Sequence, residues 1–259
     1  MSRTHISFSE LKIWNECAFK HRLAYIDEVK KFLGNEYTAF GTAIHHVCEK
    51  IVEEEEVDLE LLFQKKFLEE LKILTEKKVE LKQNLIASMR PQGKKIIKYI
   101  LPAIKETFSE YDVISVEEQL MVPIEEKDYF FKGFIDLVIK TSDGKYHVID
   151  WKSCSWGWDS KKKADRMTTY QLTLYKHFFA LKHNIDPKNI ETHFALLKRT
   201  AKTNNVEIFR VTSGPKKTEN AINLLYKAIY NIKSKNFIKN RLSCTQGFGC
   251  EFYKTKHCR

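Results

Sequence analysis

No stretch of this 259-residue sequence approaches the roughly 18 uninterrupted apolar residues that a membrane-spanning helix needs, which argues against a membrane partner. The opening MSRTHISFSE lacks the apolar core of a secretion signal, so the expected setting is soluble and cytoplasmic. There is no internal repeat and no low-complexity linker, which leaves one domain spanning 1–259 as the expectation. Acidic residues are in deficit: 34 Asp and Glu stand against 44 Lys and Arg, a formal net charge of +10. That balance suits a polyanionic partner, although a solvated lysine-rich helix face produces the same count. With 43% hydrophobic residues the chain can fill a sizeable core.

The patterning divides the chain into three stretches. Residues 1–110 read as mainly helical, beginning with a capping box from Ser7 to Glu10 and continuing through apolar stripes such as Phe40, Ala43, Ile44, Val47 and Ile51. Pro91 and Gly93 punctuate this region, and Pro102 is a candidate kink. Residues 111–238 carry β-branched and aromatic runs, VISVEEQLMV, YFFKGFIDLVIK and KYHVIDWKS, separated by the turn-formers EEKD and TSDG. A helix over 165–183, strands near 190–199 and 205–213, and a helix near 215–235 follow. Residues 239–259 form a cysteine-bearing tail. The fold class is therefore α/β, a central mixed sheet flanked by helices.

Charged residues interrupt two of the strands: Asp136 in FKGFIDLVIK, and Asp150 with Lys152 in YHVIDWKS. A buried carboxylate is costly unless it is paired, protonated or bound to a cation. Each strand alone fits a structural ion pair or a solvated edge. The loop Ser142-Asp143-Gly144, with glycine in the left-handed position, pairs Thr141 with Lys145 and sets Asp136 opposite Asp150. Opposed carboxylates repel, and a divalent cation such as Mg²⁺ or Mn²⁺ removes the conflict. Lys152, two residues on, shares that face. Two carboxylates, a divalent ion and an ammonium group suit hydrolysis of a phosphodiester.

The GFID and DWK segments resemble the core motif of the PD-(D/E)xK nuclease superfamily. FGTAIHHVCE, through Gly41 and His45, and YQLTLY, through Gln171 and Tyr175, resemble motifs of its RecB-like exonuclease branch, which includes CRISPR-adaptation nucleases. FSELKIWNECAFKHRLAY and the cysteine tail resemble that branch's terminal cysteine segments. The resemblance implies a restriction-endonuclease-like core in which His45, Asp136, Asp150 and the Trp151 carbonyl hold the metal. Lys152 would then act on water and phosphate, with Gln171 and Tyr175 supporting the site. His46, beside His45, is a competing ligand, and Glu118 is a candidate supporting group. The implied reaction is DNA hydrolysis at single-stranded or duplex ends, with a helicase or recombination protein as partner. A flap endonuclease, or a DNA-binding subunit with a vestigial centre, are the alternatives.

Three cysteines in the last sixteen residues of a chain without a secretion signal read as metal binding before disulfides. The resemblance implies that Cys17, Cys244, Cys250 and Cys258 hold a 4Fe–4S cluster that docks the tail against Cys17. The C-x5-C-x7-C spacing differs from the branch's C-x2-C-x5-C, so zinc, with His257 as a substitute ligand, stays open. Cys48 and Cys154 read as buried hydrophobes. After Lys152, SCSWGWDSKKK combines Trp156 and Trp158 with Lys161, Lys162 and Lys163. This is either a stacking and phosphate-neutralising DNA contact or a core tryptophan pair beside a solvated charge run.

Overall fold

A computed structural model describes residues 4–29, 32–125, 128–247 and 249–259. The chain resolves into two compact units. One comprises Met1–Phe32, Leu120–Gly133 and Gly214–Arg259, the other Leu33–Gln119 and Phe134–Ser213. Among the described residues no helix is long and apolar enough to cross a membrane.

In the second unit the helices α3 (Glu36–Val52), α4 (Leu59–Glu76) and α5 (Gln83–Thr107) precede the sheet strands. The Asn35 side chain caps α3 by accepting from the N–H groups of Tyr37 and Thr38. The helix α5 runs unbroken through Pro91 and Pro102, contrary to the expected punctuation. Each internal proline costs about 3 kcal/mol. The helix buries Ile86, Ile96, Ile97, Ile100 and Ile104, and five such side chains at about 1.5–3 kcal/mol each outweigh two prolines. Gly93 has a packing role instead, since a Cβ there would overlap the ring of Phe63. Phe63 sits in a three-ring cluster with Phe40 and Phe67, at centroid distances of 5.4 and 5.7 Å.

The strands β2 (Tyr111–Ile124), β3 (Tyr129–Thr141) and β4 (Tyr146–Cys154) follow the three runs read from the sequence, with β2 pairing β3. Of the intervening EEKD turn, Glu126 and Lys127 lie outside the described residues. The short helix α6 (Ser160–Ala164) and the long α7 (Arg166–His183) lead to β5 (Ile190–Lys198) and β6 (Val206–Val211). The sheet is mixed: β3 with β4 is antiparallel, β4 with β5 parallel, and β5 with β6 antiparallel. Leu137, Ile149, Trp151, Ala195 and Leu197 point from the sheet into a core shared with α3, α4 and α5. Alternation turns Asp136, Asp150 and Lys152 to the opposite face, where α7 packs.

In the first unit a short strand β1 (His5–Ser7) pairs in parallel with the start of β3, His5 beside Phe130. Ser7 then caps α1 (Phe8–Glu16) by accepting from Glu10 N–H at 3.2 Å. Cys17 separates α1 from α2 (Ala18–His21), which passes into a π-helical turn over Arg22–Ile26. The helix α8 (Pro215–Lys233) starts on proline, as a first helical turn allows. The tail returns to the beginning of the chain: Phe19 N–H donates to Ile238 O at 3.2 Å, and Asn240 Nδ2 to Glu16 O at 2.9 Å.

Candidate active site

The hairpin loop forms as its residues dictate. Gly144 takes a φ of +81°, and Thr141 N–H donates to Lys145 O at 3.0 Å. The β3–β4 ladder ends on Leu137 with Ile149, one residue short of Asp136 and Asp150. There the Asp136 side chain takes over a backbone donor, Oδ2 accepting from Trp151 N–H at 2.6 Å. Its Oδ1 lies 3.8 Å from Nδ1 of His45, which α3 delivers one turn after Gly41. Gly41 lies close under β4, where a Cβ would stand 3.4 Å from Ser153 Oγ.

Asp150 is 2% exposed. Its Oδ1 accepts from Gln171 Nε2 at 2.7 Å, and the same amide nitrogen reaches Tyr175 Oη at 3.2 Å. Spacing of four on α7 brings these two side chains together. Lys152 Nζ stands 2.5 Å from Asp150 Oδ2, so that each carboxylate oxygen of Asp150 has a polar partner. Burial, and after it the charge of Asp150, pushes the Asp136 carboxyl well above its usual range. Burial also raises Asp150, against the pull of Lys152. Burial and then Lys152 push His45 down to about 4, leaving a neutral imidazole with a lone pair. Burial and then Asp150 raise Tyr175, keeping it a phenol.

Two facing carboxylates that resist ionisation and a neutral imidazole together form a donor set that a divalent cation would satisfy. His46 turns to Glu49 on its own helix at 3.2 Å, so His45 is the histidine nearer the acids. The Trp151 ring is buried at 2% exposure, and its backbone lies beside Asp136.

Glu118, read as a supporting group, instead bonds Lys182 at 2.6 Å and His183 at 2.8 Å. Its exposed neighbour Glu117 lies within reach of the charge of Asp150. A φ of +50° turns it out of strand alternation, and burial, then Glu49 and Asp150, raise its pKa. Nothing in the sequence marks that left-handed residue, since glutamate rarely adopts it.

The aromatic loop splits. Trp156 is 78% exposed, whereas Trp158 packs edge-on against Phe194 at 5.1 Å. Lys163 pairs with Glu207, Lys162 lies 5.6 Å from the Trp158 ring, and Lys161 is exposed. In the other unit Cys17, Cys244, Cys250 and Cys258, all free thiols, line one cavity with Lys20 and Arg241. Cys17 Sγ accepts from the N–H groups of Lys20 and Asn240, both at 3.4 Å. Cys48 is fully buried in α3 and Cys154 half-buried at the end of β4. His257 is exposed in the tail.

An acidic pair and a lysine thus lie on adjoining strands of a mixed sheet, backed by a glutamine and a tyrosine from one helix. The chain belongs to the PD-(D/E)XK nuclease superfamily, whose family model matches residues 5–255. Nucleases of this superfamily use divalent metals. A crystal structure from Eubacterium rectale, named "Putative exonuclease", is 13% identical and aligns at a TM-score of 0.60, covering 94% of this chain and 86% of that one. That likeness shows the fold. A second crystal structure, of SSO0001, is 16% identical with a TM-score of 0.38, covering 94% and 92% of the two chains. No curated protein matches.

Proposed function

We propose that this protein is a Mg²⁺- or Mn²⁺-dependent deoxyribonuclease that degrades DNA from its ends, in recombination, repair or DNA processing. The observation that carries the reading is the buried Asp136–Asp150 pair with Lys152 beside it. His45, Asp136, Asp150 and the Trp151 carbonyl would hold the metal, which when bound supplies charge neutralisation and an acidified water. Gln171 fixes Asp150 through Oδ1, and Oδ2, which faces Lys152, would be the oxygen shared with the ion. Trp151 N–H fixes Asp136 in the same way. Lys152 pairs with Asp150 here; its ammonium is the cation nearest the acid pair and would balance the growing negative charge on a phosphate. Trp156, with Lys161 and Lys162, would meet single-stranded DNA outside the site. The order of the motifs along the chain favours the RecB-like exonuclease branch and its helicase-linked members.

The test compares end-labelled linear DNA with closed circular DNA, single- and double-stranded, with Mn²⁺ and with EDTA. Degradation of linear DNA alone is expected, and Asp150→Ala and Lys152→Ala should each abolish it while leaving DNA affinity within a few-fold. Cleavage of circles would transfer the reading to an endonuclease, and full activity in EDTA would overturn it.

The four thiols of the tail cavity support a 4Fe–4S cluster. A cubane needs one thiolate per iron, four in all, and N–H donors to sulfur such as those on Cys17 suit it. Anaerobically purified protein should be brown with about four irons per chain. Colourless protein holding one zinc would overturn this assignment.

A further inference from the structure

Remote from the acid pair, three donors converge on the sheet face that carries Ile149 and Trp151. His147 on β4 lies beside Glu191 on β5 in the parallel register, and His193 follows Glu191 by two residues on the same face. One ligand atom from each lies within 4.8 Å of the other two, and among the described residues no other trio of histidine, cysteine or acidic side chains does this. His147 Nδ1 and His193 Nε2 are 3.1 Å apart. Two imidazole nitrogens on one zinc ion, each at about 2.0–2.1 Å, define a tetrahedral edge of about 3.3 Å.

The surrounding hydrogen bonds fix the tautomer this requires. Thr141 Oγ1 donates to Asp143 Oδ1 at 2.5 Å, so its single proton is committed. The same oxygen therefore accepts from His147 Nε2–H at 3.0 Å, which leaves a lone pair on Nδ1 facing His193. A carboxylate acting through a hydroxyl to orient an imidazole is the outer support that metal-binding histidines usually have. Lys145 at 3.3 Å and Arg210 at 3.1 Å both bond Oε1 of Glu191, which holds that carboxylate in place and leaves Oε2 for a cation. Phe108, at the end of α5, packs on both imidazoles at 4.9 and 5.1 Å, and excludes water from one side. An open cavity of about 410 Å³, lined by Phe108 together with Thr141, Asp143, His147 and Glu191, gives an ion an entry path.

We propose that His147, Glu191 and His193 form a second metal site, separate from the acid pair, for a divalent transition cation of the zinc type. Two nitrogens and one carboxylate oxygen suit such an ion better than Mg²⁺, which prefers an all-oxygen shell. Bound there, the ion would pin β4 to β5 across the 46 residues that separate His147 from His193.

The test uses Co²⁺ alone on the full-length chain carrying Asp150→Asn, so that the acid pair takes no part, and with any iron cluster left intact. One equivalent of Co²⁺ should bind with weak visible bands and no sulfur charge-transfer band, and should raise Tm. Adding His193→Gln should remove that equivalent. Adding Glu191→Gln, whose partly exposed side chain makes misfolding a lesser concern, should weaken it by about tenfold or more, since even an outer partner of a metal ligand is worth that much. The site is overturned if Asp150→Asn protein takes up no Co²⁺, which would mean the two imidazoles share only an N–H···N bond. Unchanged stoichiometry and Kd in the Glu191→Gln protein would overturn it equally.

Discussion

Replacing Gln171 with leucine tests whether Asp150 has to be held. The amide nitrogen of Gln171 is the hydrogen-bond donor to Asp150, at 2.7 Å on Oδ1, while Oδ2 has only its ion-pair contact with Lys152. A hydrogen bond to a charged group contributes about 1.5–3 kcal/mol. At about 1.4 kcal/mol per decade this is a rate loss of roughly 10–150-fold, if the whole bond acts in the transition state. The assay is the initial rate on end-labelled linear DNA as a function of Mn²⁺ concentration. Gln171→Leu should lower kcat within that range and raise the Mn²⁺ needed for half-maximal rate, with DNA affinity in EDTA and Tm unchanged. Gln171→Glu should be worse, because it faces Asp150 with a third carboxylate at hydrogen-bonding distance. A leucine variant within twofold of the parent in both kcat and Mn²⁺ dependence would refute the reasoning, leaving Lys152 as the group that holds Asp150.

The charge of Glu117 favours the protonated form of Asp136, so Glu117→Gln should lower the Asp136 pKa and move the acid limb of the pH–rate profile to lower pH; an unmoved limb removes Glu117 from the site. Gly93→Ala must displace the buried Phe63 ring and should cost about 1–3 kcal/mol in urea unfolding, with a change below about 0.5 kcal/mol counting against the close approach. Burial pushes His193 down to about 3 from an ordinary 6.5, so its contribution to stability is complete above pH 6.5 and is lost as pH falls toward 3. The slope for one proton is about 1.4 kcal/mol per pH unit, and His193→Gln should flatten it in pH-dependent denaturation. Trp156→Ala should weaken single-strand binding by roughly 1–3 kcal/mol at unchanged Tm, because the side chain is 78% exposed; unchanged affinity would return the loop to a purely structural role.

What could be read without coordinates was local. The Ser142-Asp143-Gly144 loop determines its own register, so the juxtaposition of Asp136 and Asp150 follows from three residues and a count along two strands. Gln171 and Tyr175 were legible only through the resemblance of YQLTLY to a family motif, since i and i+4 share a face on any helix. Strand positions followed from composition, since Val, Ile, Tyr and Phe crowd the runs that became β2, β3 and β4. The unread features depend on distant packing. Pro91 and Pro102 stay inside α5 because its isoleucines are buried by α3 and α4. Glu117 adopts a left-handed backbone that no neighbouring glycine or asparagine announces. The His147–Glu191–His193 trio exists only because β4 and β5 pair in parallel, across a connection that carries α6 and α7. Within the tryptophan loop, the difference between Trp156 and Trp158 lies in Phe194 and Phe209, which belong to strands the loop sequence does not mention.

The unit that holds the four cysteine thiols draws on three separated lengths of chain, ending with Gly214–Arg259, whereas the nuclease acids lie wholly between Leu33 and Ser213. On a ribosome, which delivers the chain from its first residue, Asp136, Asp150, Lys152 and Gln171 are all available before Cys244 has been made. The first helix, with Cys17, must wait through the synthesis of more than two hundred residues for the tail that bonds to it. A chain cut short before Cys244 would keep Asp136, Asp150, Lys152 and Gln171 while lacking three of the four thiols.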